Sequence, residues 1–151
     1  MLARWLLATI HLLALGIGLG AVWARARTLA GPLDPPAYRR VFTADSWWGV
    51  AGLLWISTGL VRAFGGGEKG TDYYLGNHFF LGKMGLLVVL LLLELWPMTT
   101  LIRWRIAARK GAPINPAPAR TLARLSYLQA VLVLGMVLFA TALARGMGEG
   151  R

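Results

Sequence analysis

The stretch that decides the fold comprises residues 68–105, EKGTDYYLGNHFFLGKMGLLVVLLLLELWPMTTLIRWR. Its central part, from Phe79 to Ile102, is almost wholly apolar, and as a helix it would cross the roughly 30 Å hydrocarbon core of a bilayer. Two ionisable side chains, Lys83 and Glu94, interrupt this apolar part. A charge at the centre of a bilayer costs about 2.5–3.5 kcal/mol on insertion scales, so such a residue usually faces a partner, the bundle interior or a wet cavity. At about 100° per residue, Lys83 and Glu94 lie on nearly the same helix face.

Each of these two charges also has a purely structural interpretation. Lys83 lies about one helical turn inside the start of the span, from which its ammonium group could reach the interface. Glu94 lies three residues before Pro97, near the other end of the span. For Glu94 we favour a structural pairing with a basic residue at the membrane surface. For Lys83, a functional site and an interfacial anchor remain equally open.

Composition places the chain among integral membrane proteins. Hydrophobic residues make up 57 % of its 151 residues, whereas an ordinary soluble domain is about 45–50 % apolar even with glycine included. The formal net charge is +10, but the basic residues lie beside apolar spans, which indicates membrane orientation rather than nucleic-acid binding. The absence of cysteine excludes disulfides, thiolate metal sites and CxxCH haem attachment.

Four apolar segments predict an all-α fold, an integral membrane four-helix transmembrane bundle in which residues 1–151 form a single transmembrane domain. The predicted helices are residues 3–24, 47–64, 79–102 and 125–143. The proline-rich residues 25–45 are predicted to form a loop. Asp45 and Ser46 are then expected to cap the second helix.

The distribution of basic residues predicts the orientation of this bundle. The first connection carries Arg25, Arg27, Arg39 and Arg40, and the third carries Arg103, Arg105, Arg109, Lys110, Arg120 and Arg124. The middle connection has only Arg62 and Lys69, which Glu68 and Asp72 offset. The positive-inside rule therefore places the first and third connections in the cytoplasm, so both termini would face the periplasm or the cell exterior.

The first segment carries His11 on a stripe of small residues, together with Gly16 and Gly20 as a GxxxG pair. Small residues let helices approach closely in lipid, so this pair predicts a helix contact and offers a face for a homo-oligomer. A lone histidine on an apolar helix face, such as His11, is more often a packing residue than a ligand. In the predicted topology His11 and Lys83 differ in depth by only about 3 Å, whereas His78 would lie roughly 10 Å shallower than His11, near the surface.

The chain resembles an uncharacterised family of bacterial four-helix inner-membrane proteins, a domain of unknown function. The residues that carry this resemblance are His11, Asp45-x-x-Trp48-Gly49, Gly59-x-x-Arg62, Lys69-Gly70-x-x-Tyr73-Tyr74, Asn77-x-x-Phe80-x-x-Lys83, Pro97, Arg103-Trp104-Arg105 and Ala144-Arg145-Gly146. More distantly, a histidine in helix one and a lysine in helix three resemble HemJ-type protoporphyrinogen oxidases and CopD-type membrane proteins. This second resemblance implies that haem b is bound, with His11 as axial ligand to the haem iron and Lys83 as a site residue.

Three hypotheses follow for the function. In the first, His11, Lys83 and Tyr74 line a haem-binding redox site, where Lys83 would pair with a porphyrin propionate. In the second, the chain is a small oligomeric transporter with Lys83, Glu94 and Arg62 along its substrate path. In the third, it is a subunit or assembly factor of a membrane complex without a cofactor. Gln129 is expected to form an interhelical hydrogen bond, and whether the protein is an enzyme stays open.

Overall fold

The computed structural model describes residues 2–65 and 71–147, and within these ranges the chain forms helices and connections without strands. Four helices are long: α1 (Leu2–Ala30), α2 (Pro35–Phe64), α4 (His78–Arg109) and α5 (Ala119–Ala144). A short helix, α3 (Thr71–Leu75), precedes α4. The predicted all-α membrane bundle is thereby confirmed. Lys69 and Gly70 of the family pattern, and Glu68 of the middle connection, lie outside the described residues.

The first two helices are longer than the apolar segments that predicted them. α1 continues to Ala30 and α2 starts at Pro35, so the predicted loop over residues 25–45 is reduced to residues 31–34. Asp34 caps α2, because its carboxylate accepts a hydrogen bond from the backbone N–H of Ala37 at 2.7 Å. The prediction of a cap at Asp45 was wrong. Proline, which interrupts a helix interior, is well tolerated in the first helical turn, where its missing N–H has no intrahelical partner.

The last two long helices also extend beyond their predicted bounds. α4 continues past Ile102 to Arg109, and α5 begins at Ala119 rather than near Leu125. Gly111, in the following connection, adopts a φ of +65°, a left-handed conformation that favours glycine. Hydropathy marks the part of a helix that lipid covers, whereas hydrogen bonding continues into the polar region beyond it. The apolar segments therefore underestimated the helix lengths.

The long helices pack in the order α2, α1, α5, α4 around the bundle, and α3 contacts α2 and α4. α1 and α2 approach closely at Gly18, where an added Cβ would lie 3.4 Å from the Cβ of Ala51. A Cβ added at Gly16 or Gly20 would meet no atom of the described chain within 4 Å. Within residues 2–65 and 71–147, the predicted GxxxG pair therefore forms no close helix contact.

By length and composition, three of the described helices could cross a membrane: α1, α4 and α5. α2 is 30 residues long but is not among these three helices. Many large apolar side chains on the outside of the bundle are exposed, among them Leu12, Leu53, Val88, Leu92 and Leu138. This apolar exterior is the surface expected to contact the lipid bilayer.

The bundle has two chemically different ends. The basic end carries the connections at residues 31–34 and 110–118, together with most of the exposed arginines. The cavity end, named for the cavity described below, carries the described ends of the chain and α3. Between the two ends lies an apolar core that includes Val22, Trp48, Leu90 and Val133.

Candidate functional site

A cavity of about 490 Å³ opens between the long helices at the cavity end. This volume lies in the range of about 300–1,000 Å³ that is typical of small-molecule sites. Most of the lining is apolar, and its polar side chains include His11, Arg62, Tyr74 and Lys83. His11 lies in α1, Arg62 in α2, Tyr74 in α3 and Lys83 in α4. The structure thus brings together, in one cavity (the His11 cavity), four residues that the sequence singled out.

His11 is held against α2 by two neighbours. Its imidazole ring stacks on the indole of Trp55, with ring centroids 5.8 Å apart and an interplanar angle of 26°. Gly59 leaves room for the ring, since a Cβ at this position would lie 3.1 Å from Cε1 of His11. The position of the imidazole therefore depends on an aromatic surface and on the absence of a side chain at Gly59.

The imidazole of His11 is hydrogen-bonded through Nδ1. Nδ1 of His11 lies 2.9 Å from Oγ1 of Thr58. The Thr58 hydroxyl lies 2.6 Å from the carbonyl of Leu54 and can donate its one proton there, in which case its oxygen accepts from Nδ1. In that tautomer Nε2 carries the lone pair. Metal-binding histidines are oriented in this way, with one ring nitrogen donating to a neighbour.

Lys83 and Tyr74 line the same cavity as His11. Nζ of Lys83 is 6.0 Å from the ring centroid of Trp55, so Lys83 and His11 contact the same indole. Tyr74 is buried and packs on Phe80, with ring centroids 5.0 Å apart. The predicted similarity in depth of His11 and Lys83 is consistent with their position in one cavity. Their roles stay predictions.

His78 starts α4 and is exposed, and it does not line the His11 cavity. Asn77 caps this helix with its side-chain oxygen, which accepts hydrogen bonds from Phe79 and Phe80. His78 is therefore exposed, as expected, and its position at the membrane interface stays a prediction. Of the two histidines, only His11 faces a ligand-sized space.

A second polar site, nearer the basic end, is centred on Arg25. Its guanidinium is fully buried and donates five hydrogen bonds of 2.7–3.0 Å, which satisfy all five of its N–H groups. The acceptors are Asp45 in α2, both carboxylate oxygens of Glu94 in α4, and Ser126 and Gln129 in α5. The four long helices therefore meet at one side chain.

Arg105 completes this cluster, which we call the charge network (Arg25, Asp45, Glu94, Arg105, Ser126 and Gln129). It donates to Oδ2 of Asp45 at 2.9 Å and to the carbonyl of Phe42 at 2.6 Å. Gln129 also donates to Glu94, at 2.6 Å. Because two arginines face two carboxylates, the formal charges of the network cancel. A neutral, hydrogen-bonded cluster is the form in which ionic groups are tolerated inside a bundle.

The sequence anticipated part of this network. Glu94 was expected to pair with a basic residue, but that residue is Arg25 in the bundle interior and not a residue at the membrane surface. Gln129 forms the interhelical hydrogen bonds expected of it. Arg25 and Asp45 were missed because both were assigned to a loop. The signal that would have found Arg25 is its spacing from Ala14, Gly18 and Ala21, with which it shares the buried face of α1.

The two polar sites are separate. Lys83 and Glu94 lie eleven residues apart in α4, or roughly 16 Å along the helix axis. The apolar core around Trp48, Leu90 and Val133 fills the space between the two sites. Glu94 and Gln129 therefore do not line the His11 cavity, whereas Arg62 does. This apolar core disfavours a continuous polar path through a single chain.

A family model described as Predicted membrane protein (DUF2214) matches residues 3–148, which include both polar sites. The chain belongs to this family. The DUF2214 assignment confirms the predicted family of membrane proteins of unknown function, and its description names no reaction. No curated protein and no solved structure shows a significant match to the chain. The more distant likeness to HemJ-type and CopD-type proteins thus has no support from these comparisons.

Proposed function

We propose that this DUF2214 protein binds haem b in the His11 cavity and has a redox role. The observation that carries the proposal is the position of His11 on the wall of a ligand-sized cavity, with its Nδ1 2.9 Å from Oγ1 of Thr58. Haem iron needs only axial ligands from the protein. Among the described residues, no group of three or more His, Cys, Asp or Glu side chains is placed to hold a metal ion. An axial role requires no such group.

The lining of the cavity fits the other parts of a haem. Apolar side chains such as Leu15, Ile56 and Met84 offer the surface that a porphyrin ring requires. Lys83 and Arg62 supply cationic groups of the kind that pair with propionates. When bound, haem would supply electron-transfer or oxygen chemistry. The protein would then orient the ring through His11 and exclude water with the apolar wall.

An absorption spectrum tests this proposal. The protein is purified in detergent from haem-replete cells and measured oxidised and then reduced with dithionite. We expect a Soret band and reducible visible bands at near-stoichiometric haem. A protein that is colourless, and that stays colourless after hemin is added, would overturn the proposal.

Thr58→Val should weaken haem binding by about 10- to 100-fold, the usual cost of removing a hydrogen bond that orients a metal-binding histidine. The valine keeps the shape of threonine but cannot accept the Nδ1–H of His11. Titration of the apoprotein with hemin measures the effect. Ser57→Val is the matched control, since the Ser57 residue is exposed and its hydroxyl donates to the Leu53 carbonyl. Equal affinities in the two variants would contradict the assigned role of Thr58.

We also propose that the protein lies in the bacterial inner membrane with α2 as a fourth span and both termini periplasmic. Exposed Val50, Leu53 and Leu54 on α2 support a lipid-facing position for this helix. The arginines at the basic end support a cytoplasmic location for that end.

The cysteine-free chain permits a direct test of this topology. A membrane-impermeant maleimide applied to intact spheroplasts should label Met147→Cys at the cavity end and leave Ala112→Cys at the basic end unlabelled until the membrane is permeabilised. Both positions are exposed. Labelling of Ala112→Cys alone in intact spheroplasts would contradict the proposed topology.

We propose that the chain forms a homo-oligomer in which a second copy packs on Gly16 and Gly20. Both glycines are exposed and have no atom of the described chain near their missing Cβ, which is the geometry of a GxxxG face before a second helix packs on it. Gly16→Leu with Gly20→Leu should convert a dimer to a monomer in light scattering of the detergent-solubilised protein. Gly85→Leu in α4, equally exposed and open, should leave the mass unchanged. An unchanged mass for the double variant would exclude this face.

A further inference from the structure

A second concave surface lies between α1 and α2 on the outside of the bundle. This groove has a volume of about 690 Å³ and shares no lining residue with the His11 cavity. Its walls include Ile17, Ala24 and Thr28 from α1, and Arg39, Arg40 and Trp47 from α2. The proposed haem site does not involve it.

The groove changes in polarity along its length. Thr28, Arg39 and Arg40 lie at the basic end, near the connection of residues 31–34. Arg40 and Trp47 lie seven positions apart in α2, or roughly 10 Å along the helix axis. On α1, Ile17 lies about 16 Å from Thr28 by the same measure. The groove is thus cationic at one end and apolar at the other.

The positive charge at the mouth of the groove is not compensated by the described chain. Arg39 and Arg40 are exposed, and neither forms an ion pair with a carboxylate of residues 2–65 or 71–147. Arg25 and Arg105 differ in this respect, because Asp45 and Glu94 neutralise them. Two adjacent guanidinium groups at the mouth therefore suit an anion from outside the chain.

We propose that this groove binds an anionic phospholipid. The phosphate would lie at Arg39 and Arg40, and an acyl chain would run along Ala24 towards Ile17 and Trp47. Basic pockets between membrane helices bind anionic headgroups. The occupant is a lipid rather than a soluble anion because the apolar part of the groove continues beyond the arginines.

Native mass spectrometry of the full chain, with phosphatidylglycerol or phosphatidylcholine of identical acyl chains, tests the proposal. We expect the wild-type protein to retain phosphatidylglycerol at least tenfold more strongly. Arg39→Gln with Arg40→Gln should abolish that preference. Arg120→Gln with Arg124→Gln removes the same charge from exposed positions at the same end, outside the groove, and should keep the preference. Ala24→Trp, which fills the apolar part without changing the charge, should also reduce retention.

Each contrary result has a distinct meaning. If both double arginine variants lost the preference for phosphatidylglycerol equally, the attraction would be general electrostatics. That result would overturn the proposed site. Full displacement of the lipid by millimolar inorganic phosphate would reduce the site to a simple anion site, which also overturns the proposal. If Ala24→Trp dissociated a dimer without changing lipid retention, a second copy would be the occupant. Thermal unfolding confirms that each variant is folded, and none of these readouts depends on haem.

Discussion

Arg25→Met is expected to destabilise the protein by about 3–5 kcal/mol, the usual cost of breaking a buried ion pair by removing one partner. The substitution leaves Asp45 with Arg105, but it leaves Glu94 with only the amide of Gln129. A membrane interior compensates an unpaired carboxylate poorly. At about 2–4 °C per kcal/mol for a chain of this size, the midpoint of thermal unfolding in detergent should fall by roughly 6–20 °C.

Two further variants distinguish the network from a general effect of losing charge. Arg27→Met removes an exposed arginine two residues away on the same helix and should change stability by no more than about 0.5 kcal/mol. The double variant Arg25→Met with Glu94→Leu removes both charges of the pair and should recover part of the loss, with a coupling of about 0.5–3 kcal/mol. Strictly additive losses would contradict direct contact between the two side chains.

His11→Gly is expected to abolish the Soret band of the haem-loaded protein, because His11 is the only histidine of the cavity. The substitution removes the proposed iron ligand. It also leaves a gap between Trp55 and Gly59 that free imidazole could fill. Added imidazole should therefore restore a haem spectrum in this variant. The readout is the visible spectrum of the reduced protein at equal protein concentration.

His78→Ala is the matched control for this experiment, since His78 is exposed at the start of α4. Its spectrum should equal that of the wild-type protein. Loss of haem in His78→Ala but not in His11→Gly would reverse the assignment of the ligand. Lys83→Met should retain the iron ligand but bind haem more weakly, because it removes a cation expected to pair with a propionate. Unchanged haem content in Lys83→Met would make Lys83 an interfacial anchor.

The sequence predicted a similar depth for His11 and Lys83, and the structure places both on the wall of one cavity. A helix rises by about 1.5 Å per residue, so His11 and Lys83 could be placed at similar depth once the spans and their directions were known. Trp55, Thr58 and Gly59, which hold the His11 ring, were not predicted as its neighbours. Their contact depends on the rotation of α2 about its axis, and apolar spans leave this rotation undetermined.

The charge network shows the same limit more strongly. The partners of Arg25 lie 69, 101 and 104 residues away in Glu94, Ser126 and Gln129. A buried arginine and an exposed one have the same local sequence signal, namely a charge beyond an apolar span. Only the packing of all four long helices makes Arg25 a shared partner rather than a loop charge.

The sequence by itself determined that this protein is an all-α membrane bundle of the DUF2214 family, with a basic end and an apolar exterior. Those properties follow from helix length, hydropathy and charge distribution, which are local along the chain. The tertiary structure alone decided which charges are buried and paired, where the helices begin and end, and that His11, Arg62, Tyr74 and Lys83 share one cavity. The physical reason is that burial and pairing depend on helix rotation and on contacts between residues far apart in the chain.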